Sequence, residues 1–125
     1  MKARLLFLAG VALAFSTGCG PEYEAHRVTD VRASAGGQLN EATMDVTLPL
    51  GAILTASVLP YDTDEEIMES SDVTTDDGNV LEVLHVANAG EDKLAFVGRH
   101  AGETTVRYFV DGRQIRSARA LVTPP

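Results

Sequence analysis

The chain is poor in cysteine, in positive charge and in aromatic residues. It has one cysteine, no tryptophan, three tyrosines and four phenylalanines. A single thiol excludes an internal disulfide framework and any multi-cysteine zinc site. Lys and Arg number 10 against 18 Asp and Glu, for a formal charge of −8. That deficit argues against a nucleic-acid binder, which needs a basic surface to meet phosphates. No apolar run approaches the roughly 20 residues that a spanning helix requires. There is no G-x-S-x-G elbow and no glycine loop of the kind that cradles phosphates. The 125 residues, 45% hydrophobic and 22% charged, suit one globular domain.

The N-terminus reads as an address. Lys2 and Arg4 precede residues 5–15, apolar but for Gly10, and small residues follow at Ser16, Thr17 and Gly18. A positive start, a short apolar stretch and a small-residue site describe a secretory signal peptide. The lone thiol, Cys19, stands where the small residues end. Thr17-Gly18-Cys19 resembles the last three positions of the lipobox of bacterial lipoproteins, with Ser16 where leucine is usual. The resemblance implies cleavage before Cys19, a diacylglyceryl group on its sulfur and acylation of the new amine. Gly20 is not the aspartate that retains many such proteins at the inner membrane, so the resemblance implies an outer-membrane destination. Residues 1–18 are then the signal, 19–26 the lipidated cysteine and a short tether, and 27–125 the folded domain. Loss of Lys2 and Arg4 leaves eight basic against 18 acidic residues. The membrane would be a partner through lipid alone, because this charge repels anionic headgroups.

Beyond Cys19 a helical period is nearly absent and strand alternation is clear. Met44, Val46 and Leu48 alternate with Thr43, Asp45 and Thr47; Leu54, Ala56 and Val58 alternate with Thr55, Ser57 and Leu59. Period-two patterns of this kind give strands with one buried face. Residues 80–86 are almost wholly apolar, as in a strand buried on both faces. Residues 94–97 are a further short strand. Val106, Tyr108 and Val110 alternate with Arg107 and Phe109. Asp111-Gly112 is a two-residue hairpin signal, with Ala118, Ala120 and Val122 inward on the return strand. An earlier strand is expected at residues 27–33, and a single helical turn is conceivable at 65–69. Short strands at regular spacing predict an all-β sandwich.

Three segments resemble the bacterial immunoglobulin-like domain, group 2. Residues 51–60, Gly-Ala-Ile-Leu-Thr-Ala-Ser-Val-Leu-Pro, look like its second strand. Ser70-Ser71-Asp72 is similar to its Ser-Ser-Asp step, with Met68 where tryptophan is frequent. Residues 97–106, which hold Val-Gly and then Ala-Gly before two small polar residues and Val106, resemble its most recognisable segment. The resemblance implies an immunoglobulin-like β-sandwich of about seven strands, without catalysis, acting as a spacer or binding module toward protein or carbohydrate.

Two clusters are candidate sites. Asp62, Asp64, Glu65, Glu66, Glu69, Asp72, Asp76 and Asp77 place eight acids within residues 62–77, with no base between. Calcium takes six to eight oxygen ligands, so Asp62, Asp64, Asp76 and Asp77 are candidate ligands, although the spacing is not that of an EF-hand. A solvated acidic loop is the plainer reading. The second cluster is late and basic. Arg107, Phe109, Arg113 and Arg116 are candidates for a partner surface, since arginine beside an aromatic is a frequent interface pairing. His26, His85 and His100 show no metal-ligand spacing. The expectation is a lipid-anchored envelope protein carrying a binding or scaffolding module, with no catalytic residue and no cofactor beyond the lipid on Cys19. The alternative is a calcium- or glycan-binding module using residues 62–77.

Overall fold

The computed structural model describes residues 22–68, 72–86 and 93–125. The signal, the lipobox and Cys19 lie outside them, as do Ser70 and Ser71. The described residues form nine strands: β1 (Tyr23–Ala33), β2 (Gln38–Leu39), β3 (Val46–Pro49), β4 (Ile53–Asp62), β5 (Val73–Thr75), β6 (Leu81–His85), β7 (Lys93–Gly98), β8 (Gly102–Val110) and β9 (Arg113–Thr123). One sheet has the order β1-β4-β7-β6 and the other β2-β3-β9-β8-β5. Every strand pair is antiparallel except β3 with β9. This is the immunoglobulin-like arrangement, two sheets with a first strand divided between them. Counting β1 and β3 as that divided strand, and β2 as a two-residue addition antiparallel to β3, reconciles nine elements with the seven expected.

The alternation read from the sequence is the alternation of burial. Leu54, Ala56 and Val58 on β4 are buried, as are Val106, Tyr108 and Val110 on β8 and Ala118, Ala120 and Val122 on β9. All of them but Val110 meet Val46, Leu48, Leu81, Leu94 and Phe96 in one core. Burying a side chain such as Phe96 stabilises by roughly 1.5–3 kcal/mol from removal of apolar surface alone. Asp111 and Gly112 turn the β8–β9 hairpin with φ of 52° and 77°. Both angles are positive, as a type I′ turn demands. Gly98 ends β7 where the sheets come close. A Cβ there would lie 3.0 Å from the Pro49 carbonyl oxygen and 3.2 Å from Val122.

Several expectations need correction. Residues 80–86 are not buried on both faces. Leu81 is buried, but Leu84, His85 and Val86 are exposed, because β6 is the edge of its sheet and that sheet's outer face meets solvent. Apolar content alone does not distinguish an edge strand from a central one. The first strand starts at Tyr23, not residue 27, which takes 23–26 out of the tether and into the sheet. His26 points inward there and is 4% exposed. The helical turn at 65–69 is absent among the described residues. The chain instead reverses at 63–65, and Ile67 bridges back to Tyr61. Met44 is buried as expected but precedes β3, in a turn where its φ is +67°.

Candidate functional site

The acidic segment divides over the two sheets. Asp62 ends β4 and is 6% exposed. The backbone N–H groups of Asp64 and Glu66 donate to Asp62 Oδ1 at 2.8 and 3.0 Å. The carboxylate therefore builds the turn instead of facing solvent. Thr63 N–H donates to the Glu22 carbonyl at 3.0 Å, which ties this turn to the start of β1. Asp64, Glu65 and Glu66 are exposed around it.

Asp76 and Asp77 follow β5 on the other sheet. Arg107 donates from Nε and Nη2 to the two carboxylate oxygens of Asp76, both at 2.8 Å. This fork holds Asp76 below the usual carboxylate range and raises Arg107 above the usual guanidinium value. Asp77 Oδ1 accepts the Asn79 N–H at 2.9 Å and shapes the turn into β6. The structure thus does not bring Asp62 and Asp64 together with Asp76 and Asp77. Among the described residues no three His, Cys, Asp or Glu side chains are grouped to hold a metal. The even spacing of the acids concealed that β5 separates them.

The basic candidates also part company. Arg107 and Phe109 alternate with the buried residues of β8, so they lie on the outer face. Arg107 is bound to Asp76 and reaches Gln114 at 3.3 Å. Arg113 is exposed just past the hairpin turn. Arg116 pairs across strands with buried Tyr108. Directly opposed residues share a face, so Arg116 starts from the inner side. Its Nη2 donates to the Ala42 carbonyl at 2.7 Å, and its Nη1 reaches the Tyr23 hydroxyl at 3.5 Å. Arg116 clamps β9 to the loop before β3 and to β1. It is not part of a surface with Arg107 and Phe109.

That clamp belongs to a cluster that the sequence did not announce. The Tyr23 hydroxyl lies 2.7 Å from His26 Nδ1. The His26 ring sits 4.8 Å, centroid to centroid, from the ring of Tyr108 on the opposite sheet. Burial, reinforced by the positive charge of Arg116, lowers the His26 pKa to about 4. Burial raises Tyr23 and Tyr108 above the ordinary phenol value. The Tyr108 hydroxyl is buried with no hydrogen-bond partner among the described residues. The imidazole is neutral at pH 7 and joins the two sheets. Residues 26 and 108 are too far apart in sequence for spacing to reveal the contact, and His26 falls just before the first clear alternation.

No family model matches the chain, and no curated protein matches it. Among solved structures it is similar to the crystal structure of the S-layer protein SbsC domains 4 and 5, with a TM-score of 0.50 and 17% sequence identity. The match covers 78% of this chain and 53% of that one, so this chain spans about half the length of the structure it matches. At that identity the likeness is one of fold.

Proposed function

We propose that the chain is a lipid-anchored protein of the bacterial outer membrane whose immunoglobulin-like domain binds or scaffolds and performs no chemistry. The observation that carries this reading is Thr17-Gly18-Cys19 at the end of a signal-like segment. The short distance from there to the fold supports it. Only Gly20, Pro21 and Glu22 separate Cys19 from Tyr23, where β1 begins. Three residues reach about 10 Å, so an acylated Cys19 would hold the domain close against the bilayer. Residues 22 and 63–66 share that end of the sandwich. Their carboxylates would stand within about one Debye length of the headgroups and tilt the domain away from an anionic surface. Two domains of an S-layer protein have a similar fold, which supports a place at the cell surface.

The experiment is in-cell crosslinking of a tagged chain, followed by mass spectrometry of what is captured, with Cys19→Ser as the control. The reading expects membrane sedimentation and at least one discrete partner for the wild type, both lost in Cys19→Ser. An unchanged membrane fraction for Cys19→Ser would remove the anchor. Absence of any partner above control would remove the scaffold.

A further inference from the structure

The four sheet edges are guarded unequally. An open edge presents unpaired N–H and C=O groups that template a further strand, and proteins blunt it with short strands, bulges or charge. β2 and β5 are two and three residues long. β1 is long but protected. Its register with β4 breaks between Thr29 and Arg32, and Asp30 sits there at a φ of +54°, bonded to Lys93 and Arg32. The outward Val28 N–H donates to the Glu41 carboxylate at 2.9 Å.

β6 has none of these devices. Its register with β7 is unbroken from Leu81 to His85. Residues 81–86 contain no proline and no lysine, and the one carboxylate, Glu82, is bonded to Arg99. Leu84 is 44% exposed and Val86 36%. The unpaired backbone groups can be named. Val86 N–H donates to the Lys93 carbonyl, and the Val80 carbonyl accepts from Arg99 N–H, so even-numbered residues bond toward β7. Alternation in an antiparallel pair then turns the groups of 81, 83 and 85 outward. The Leu81 N–H is taken by the Asp77 carbonyl at 3.2 Å. The N–H and C=O of Val83 and His85 have no partner among the described residues.

We propose that β6 is a self-pairing edge, at which a second copy of this chain adds its own β6 antiparallel. The sequence of the strand selects a copy of itself. With Leu84 at the two-fold axis, Val83 of each copy exchanges backbone hydrogen bonds with His85 of the other. Leu84 meets Leu84, and Glu82 faces Val86, so no like charges are opposed. The two exposed Leu84 side chains cover one another on the outer face, continuous with Ala95 and Val97 of β7. The contact is small. Pairing strands of this length buries less than the roughly 1,200 Å² at which standard stable complexes begin. Association is therefore weak and concentration-dependent. It needs no anchor and stands independently of the lipid reading.

The test is disulfide trapping on the full chain carrying Cys19→Ser, so that an introduced Leu84→Cys is the sole thiol. Ile53→Cys, at an equally exposed apolar position on the same sheet face (44%), is the control. Mild oxidation is expected to link Leu84→Cys into a dimer at least tenfold faster than Ile53→Cys. In sedimentation equilibrium, Leu84→Lys is expected to weaken wild-type self-association tenfold or more while leaving the melting midpoint in place. Equal trapping at both positions would overturn the proposal, as would a wild-type chain that stays monomeric at millimolar concentration. Trapping of Leu84→Cys in cells to a different protein instead of to itself would also overturn it, and would assign the edge to a foreign strand.

Discussion

Acidification should weaken the fold through His26 before it weakens it through carboxylates. His26 is held neutral between the sheets, with a folded pKa of about 4 against about 6.5 for an exposed imidazole. Between those values the unfolded chain binds the proton and the folded chain does not. Stability therefore rises with pH across the window. The contribution of His26 is complete above about pH 6.5 and is lost as pH falls toward 4. For one group with these constants, the loss between pH 7.5 and pH 4.5 is about 2.5 kcal/mol. Asp30 and Asp76, held low by Lys93 with Arg32 and by Arg107, give up their contribution only at lower pH.

The assay is urea unfolding at both pH values for wild type and His26→Phe. Phenylalanine keeps a ring against Tyr108 but cannot titrate. The substitution costs stability at both pH values through the lost bond to Tyr23, about 1 kcal/mol, and that offset cancels in the difference. So does the relief of acidic self-repulsion on protonation, which both chains share. Wild type should lose roughly 2.5 kcal/mol more than the variant on acidification. Equal losses would refute the assignment of His26 as a buried, neutral link.

Further outcomes follow from the same geometry. Phe96→Ala should cost about 3–5 kcal/mol in urea unfolding, since it empties the centre of the core. Asp62→Ala should cost about 1–3 kcal/mol by leaving the N–H groups of Asp64 and Glu66 without their acceptor; amide exchange should accelerate at residues 62–66. Arg116→Ala should lower the melting midpoint and speed exchange at the start of β1, whereas Arg107→Ala should leave the midpoint almost unmoved, because its partner Asp76 is solvent-exposed. Millimolar calcium should leave the midpoint unchanged, given that Asp62 and Asp76 are already engaged and stand on different sheets; a calcium-dependent rise would contradict that placement.

The strands of the core were legible because one face of each is buried and the other wet. Val46, Leu48, Leu54, Ala56, Val58 and the inward residues of β8 and β9 all carry that signature. The Asp111-Gly112 turn was legible because its backbone angles restrict residue type. What failed was everything that depends on the neighbour of a strand. Residues 80–86 looked central and lie at an edge, since an apolar run does not encode its place in the sheet. The acids at 62–77 looked like one loop, yet β5 lies within the run and carries Asp76 to Arg107. The four late candidates looked like one surface, but the register shift at Tyr108 and Phe109 sets Arg116 on the opposite face from Arg107. The His26 cluster was invisible because its members come from three strands distant in sequence.

The central claim concerns Cys19, and the intact mass of the chain extracted from membranes tests it most directly. The account predicts a polypeptide that begins at Cys19 and carries acyl chains on its sulfur and amine, with the corresponding mass absent from Cys19→Ser. A chain that retains residues 1–18, or one that begins elsewhere with a free thiol at Cys19, would contradict it.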